Sequence, residues 1–267
     1  MSLIRRNPTR VAKNSTDITA KTDTPSSDTV SLALTSASDK LYLGFRNPFA
    51  SRYFYFSALN TNACTLTVKY WNGSSFAAVE DLVDQTEGFT KNGFIAWQNL
   101  SDWQSKKAAP WANVDLFWIE ITVSADLSVG TTLQAVLNIF CDDTVLSTIA
   151  PELVSDTRYL PSGQTTFLAQ YQTAADMVVN RLKADGIIDD EDQLIDVNEV
   201  SLAAGYYAGY VILFPIARDD DDRARAKSFI DTGNKLLNKV RLDIDYNNSG
   251  EVEDDEKEAG NVFLARG

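Results

Sequence analysis

The stretch Thr165-Thr-Phe-Leu-Ala-Gln-Tyr-Gln-Thr-Ala-Ala-Asp-Met-Val-Val-Asn-Arg-Leu182 decides the fold. Its apolar residues Phe167, Leu168, Tyr171, Ala174, Ala175, Val178, Val179 and Leu182 recur at three and four, the period of a helix with one buried face. Gly186 stands where such a helix would close, and Thr165 or Thr166 is placed to cap its start. Upstream of this stretch the pattern is that of strands; downstream it stays helical. The chain therefore reads as two parts with different periods.

Working backwards, Pro151 to Gly163 (PELVSDTRYLPSG) has prolines near both ends and a Pro-Ser-Gly turn signal, and reads as a linker. From Asp28 to about Leu146 lie short strand-like segments: TVSLALTS, KLYLGF, RYFYFSAL, CTLTVKYW, GFIAWQ, LFWIEITVS and TLQAVLNIFC. Some alternate, as Leu66, Val68 and Tyr70 do against Thr65, Thr67 and Lys69; others are continuously apolar. Asn72-Gly73 and Asn92-Gly93 supply turn signals. The expectation is an antiparallel β-sandwich of about seven or eight strands. All five tryptophans, Trp71, Trp97, Trp103, Trp111 and Trp118, fall in this part. Trp103 and Trp111 lie in a polar, loop-like stretch and are the candidates for surface rings that stack on sugars; filling a core or a subunit interface is the plainer reading.

Working forwards, a second helix is expected from Asp196, which with Glu199 makes an Asp-x-x-Glu capping box. Ala204, Gly205, Ala208 and Gly209 allow close packing on it, and Pro215 marks its kink or end. The apolar run Val200 to Ala217 barely reaches membrane-spanning length and carries two glycines, a proline and three tyrosines, so it reads as a buried core helix. Asp219 to Asp222 open a third helix, where carboxylates complement the dipole. That helix sets Ala226, Phe229, Ile230, Leu236, Leu237 and Val240 inward and Arg223, Arg225, Lys227, Lys235, Lys239 and Arg241 elsewhere. An acidic start before a basic body suits head-to-tail contact between subunits, although amphipathic helices in general share the look.

The composition narrows the function. With 267 residues and 44% hydrophobic content the chain is globular, and a net charge of −13 argues against sequence-reading nucleic-acid binding. Arg5, Arg6, Arg10 and Lys13 make residues 1–27 a basic flexible arm, or one that docks on an acidic partner. No apolar h-region follows Met1, which argues against a secretory signal. Cys64 and Cys141 read as buried thiols of a reducing compartment. Histidine is absent, which removes histidine-based triads, general bases and zinc sites. Acid pairs such as Asp81 with Asp84, or Glu80 with Glu87, are expected by chance among 37 acidic residues, so the chain is read as no enzyme.

Near the carboxyl end, Asp245, Asn247, Ser249, Glu251, Glu253 and Glu256 fall at positions one, three, five, seven, nine and twelve of an EF-hand loop, with Gly250 at six. Hard Ca²⁺ asks for about six to eight oxygens, a glycine at the sharp turn and a carboxylate at twelve. The segment beyond Val252 is short before Gly260, so a bound cation would act as a staple rather than as a sensor. An acidic turn that binds nothing is the competing reading.

The helices TTFLAQYQTAADMVVNRL, VNEVSLAAGYYAGYVILF and DDDDRARAKSFIDTGNKLLNKVRLDID, followed by LDIDYNNSGEVEDDE and the terminal NVFLARG, resemble the head-to-tail connector (neck adaptor) proteins of tailed bacteriophages. The resemblance covers roughly residues 165 to 267. It implies a virion protein made in the host cytoplasm. It also implies a homo-oligomeric, often dodecameric, ring below the portal that conducts DNA to downstream neck and tail proteins, with no membrane. The tail Asn261, Val262, Phe263, Leu264, Ala265, Arg266 and Gly267 would dock on the portal. The β part ahead of the helices departs from that family and looks like β modules of phage tail and neck proteins, which leaves a glycan- or virion-protein-binding module as the alternative. The expected fold class is α+β, multidomain: arm 1–27, β-sandwich 28–146, linker 147–164, three-helix connector-like bundle 165–244, acidic loop and tail 245–267.

Overall fold

In the computed structural model of the chain, the described residues are 9–23, 28–36, 38–98, 100, 102–107, 115–194, 197–240, 242, 244 and 246. The chain is α+β and divides into two compact units, the first running to Leu137 and the second beginning at Asn138. In chain order the first unit holds β1 (Arg10–Lys13), β2 (Thr16–Asp17), α1 (Thr19–Thr22), β3 (Val30–Ser31), β4 (Leu41–Phe45), β5 (Ser51–Ala58) and β6 (Leu66–Trp71). There follow β7 (Phe76–Ala78), β8 (Val83–Asp84), β9 (Gly93–Ala96), β10 (Ser105–Lys106), β11 (Leu116–Val123) and β12 (Thr132–Leu137). The second unit holds α2 (Asp143–Ile149), α3 (Pro151–Ser155), α4 (Leu168–Ala184), α5 (Asn198–Leu213) and α6 (Asp220–Leu237).

The strands form two antiparallel sheets. The first has the order β2-β1-β4-β11-β6-β7, with β10 on the β11 edge beside β6; the second has the order β3-β12-β5-β9-β8. Alternation sets the faces: Leu41, Leu43, Leu66, Val68, Ile119 and Ile121 of the first sheet join Phe54, Phe56, Ile95 and Leu133 of the second in one buried apolar cluster. The Asn72-Gly73 signal is realised as the β6–β7 turn, where Gly73 has φ +94° and Asn72 Oδ1 accepts from the Ser75 backbone N–H at 2.9 Å. Asn92-Gly93 is not such a turn. Asn92 Oδ1 instead accepts from the Phe56 backbone N–H at 2.7 Å, beside the register shift between β5 and β12.

Two boundaries differ from the sequence expectation. The arm foreseen over 1–27 is, from Arg10 on, part of the first sheet, because Val11 and Ala12 are apolar enough to be buried and β1 pairs with β4 along its whole length. Thr9 is held too: its hydroxyl accepts from Nε of the buried Arg52 at 2.7 Å, and that guanidinium lies 4.2 Å from the Phe49 ring centroid. At the other end, the strand region stops at Leu137, and the expected linker is largely helical. Asp142 caps α2 by accepting from the Val145 N–H, and Pro151 opens α3 at a position where its missing N–H costs nothing.

In the second unit, α5 packs against α2, α4 and α6. α4 buries the seven positions Leu168, Tyr171, Ala174, Ala175, Val178, Val179 and Leu182, the face its period marks out. It starts one residue too late for a cap at Thr166: Phe167 occupies the N-cap position, buried, and no side chain caps it. Its end follows the glycine: Gly186 has φ +70°, its N–H bonds to Lys183 O at 3.1 Å, and the Ile187 N–H bonds to Leu182 O at 2.9 Å, the Schellman pattern. α5 begins at Asn198 without a side-chain cap at Val197, and the proposed cap Asp196 lies outside the described residues. The helix passes at Phe214–Ile216 into a single 3-10 turn containing Pro215. α6 starts at the acidic run as expected, and Asp219 proves to be its cap, accepting from the Asp222 N–H at 2.8 Å.

Candidate functional site

The helical surface is built by glycines. A methyl group at Gly205 would stand 2.7 Å from Ile149 of α2, one at Gly209 would stand 2.2 Å from the Phe229 ring of α6, and one at Gly233 of α6 would stand 2.9 Å from Tyr207 of α5. The three glycines therefore set the closest approach of α5 to its neighbours, and the Tyr207 hydroxyl donates to Asn234 Oδ1 at 2.7 Å across the α5–α6 contact. This packing leaves part of an almost uncharged helix uncovered. Leu202 is 44% exposed, Phe214 56% and Ile216 43%, and Tyr206 and Tyr210 between them are half-buried. Asn198–Ile216 is the one segment among the described residues long and apolar enough to cross a bilayer.

The charges of α6 are mostly engaged within the unit. Arg223 pairs with Asp220 at 3.3 Å, Arg225 with Glu152 of α3, and Lys227 with Asp231 at 2.5 Å. Asp219 to Asp222 are exposed at the helix start, where they lie with the positive end of the dipole. The cluster at Asp189 to Asp192 includes a structural element: Asp190 and Gln193 form a reciprocal capping box around a 3-10 turn at Glu191–Gln193.

Of the acidic loop, Asp245, Asn247, Ser249, Glu251, Glu253 and Glu256 lie outside the described residues, as do the tail residues 261–267 and Trp111. Its entrance is described. Ile244 bridges to Leu194, and the Tyr246 carbonyl accepts from Gln193 Nε2 at 3.2 Å, so the chain leaving α6 is tied to the 3-10 turn on both sides of Asp245. Among the described residues no group of three metal-binding side chains comes together.

Trp103 is placed against the expectation of a surface ring. It is 6% exposed and stacks edge-on or tilted against Phe49, Tyr70 and Phe117 in the apolar cluster of the first unit. A tryptophan flanked by Asp102 and Gln104 looks exposed in sequence; the loop carrying it folds back, with the Gln104 N–H on Trp71 O at 2.9 Å and the Tyr70 hydroxyl on Asp102 at 2.5 Å. One member of each acid pair is engaged in its own loop: Asp84 accepts from the N–H groups of Thr86 and Gly88, and Glu87 pairs with Lys91 at 2.7 Å.

A second polar-aromatic constellation was not singled out by sequence. On the face of the first sheet opposite the core, Tyr42, Glu120 and Lys69 stand side by side on β4, β11 and β6, and Trp71 stands opposite Phe76. Trp118 lies flat over Gly44, where a methyl group would meet its ring at 2.5 Å. The Tyr42 and Phe76 rings are 5.9 Å apart, Phe76 and Trp71 5.5 Å, and the Lys106 ammonium sits 3.5 Å from the Trp71 centroid and 4.7 Å from that of Phe76. Glu120 is 3% exposed; its Oε2 accepts from Lys40 Nζ at 2.8 Å and from the Tyr42 hydroxyl at 3.1 Å. Burial lowers the Lys106 pKa, and burial together with the Glu120 charge raises that of Tyr42. The signal was the outward register of LTVKYW and LFWIEITV, legible only once the strands are paired.

No family model, no curated protein and no solved structure matches this chain.

Proposed function

We propose that the chain is a structural virion protein, a head-to-tail connector that assembles into a ring below the portal of a tailed phage and lets DNA pass through its lumen. In this reading the two sheets are the layers of a β-sandwich, and α4, α5 and α6 are the three-helix body that carries the resemblance over residues 165 to 267. The observation that carries it is α5: a helix apolar on nearly all sides calls for burial on all sides, and its neighbours leave Leu202, Phe214 and Ile216 uncovered. Copies of the same chain are the partner a ring supplies. The exposed carboxylates at Asp219 to Asp222 would keep a lumen from binding the DNA it conducts. A Ca²⁺ held by Asp245 to Glu256 would extend the fixed entrance at Ile244 and Tyr246 and so aim the tail toward the portal.

The test is assembly. Light scattering and negative-stain images of the purified chain, alone and mixed with its portal, are expected to show rings or portal-bound copies. A monodisperse monomer that never joins a portal would sink the proposal.

A further inference from the structure

We propose that the outward face of the first sheet is a carbohydrate-binding surface, with pyranose rings seated on Tyr42, Phe76 and Trp71 and their hydroxyls met by Lys106 and Lys69, while the buried Glu120 holds Tyr42 in place. The proposal is independent of the connector reading, which assigns the β unit no ligand.

The face has the chemistry a sugar demands. Three half-exposed rings stand in succession at 5.9 and 5.5 Å, offering apolar surface to the C–H faces of a saccharide. Groups of both signs lie among those rings rather than around them: the Lys106 ammonium between Trp71 and Phe76, and the Glu120 carboxylate under Tyr42. The array is rigid, because Trp118 wedged over Gly44 and donating its indole N–H to Lys106 O at 2.9 Å fixes the floor, while Lys40 fixes Glu120. Pre-fixed donors and acceptors keep the ordering cost of binding low.

Other occupants fit less well. A protein interface depletes charge at its centre, and here three lysines and a glutamate occupy it. A membrane would ask for protruding apolar side chains, but the exposed ones of this unit, Leu59, Val83 and Val129, belong to β8 and the loops after β5 and β11. A polyphosphate would approach a chain of net charge −13.

A glycan array probed with the full chain, followed by titration of the strongest ligand by tryptophan fluorescence, tests this. Saturable binding is expected, weakened roughly tenfold or more by Trp71→Ala or Phe76→Ala with the far-UV spectrum unchanged. Where a truncation unfolds the unit, Lys106→Met removes a donor while keeping the stem and serves as the same readout. An array silent to the folded protein, binding of a polypeptide alone, or a sugar affinity that survives these substitutions overturns the proposal.

Discussion

Gly209 lies so close to Phe229 that a single methyl group decides the α5–α6 distance. Gly209→Ala is expected to cost about 1–3 kcal/mol by overpacking, read as a lower melting temperature of the full chain. Gly186 is different, for nothing lies within 4 Å of its missing side chain and only φ +70° resists substitution. Gly186→Ala should therefore cost about 1–2 kcal/mol, and Gly186→Asn less, because asparagine tolerates the left-handed region. Burial raises the Asp142 carboxyl above its ordinary value of 3.8, against the opposing bond from the Val145 N–H. The sign follows: the folded chain holds the Asp142 proton more tightly than the unfolded one, so its contribution is present in full below pH 3.8 and is lost as pH rises through the raised value. Asp142→Asn keeps the capping oxygen and should erase that part of the pH dependence; parallel melts of both proteins from pH 4 to 7 whose difference stays constant would contradict the assignment. At this scale the sequence revealed the packing glycines Gly205 and Gly209 and the acidic start of α6, since both are local rules. It did not reveal the fate of Trp103, whose burial depends on strands far away in the chain.

Periodicity carried the elements wherever one face was buried over several turns, as in α4 and α6, or over paired strands, as in β6 and β11. It failed on short pieces. α3 falls in the Pro-bounded stretch that reads as a linker, and α2 straddles the expected end of the strand region, although Asp142 as cap and Pro151 as first helical residue are start signals in their own right. β1 reads as part of an arm in sequence because Arg5, Arg6, Arg10 and Lys13 dominate the segment and Val11 and Ala12 are too few to show a period. The ridge at the end of α5 belongs to this scale as well. Phe214→Ser with Ile216→Ser removes exposed apolar surface, so it should leave the melting temperature within about 2–4 °C while lowering the assembled fraction in light scattering. The acidic loop makes a further claim, staple over turn: calorimetry should detect one Ca²⁺ per chain and none after Asp245→Ala, and absence of binding in both would reduce the loop to a turn.

For the whole molecule, the aromatic face of the β unit and the exposed apolar ridge of the helical unit are the two surfaces on which our proposals rest. Assembly is the property on which the account stands, and the mass of the purified chain in solution, with and without portal, measures it most directly. Discrete rings, or copies bound around a portal, dispersed by Phe214→Ser with Ile216→Ser, are the predicted result. A monomer at every concentration that ignores the portal would contradict it.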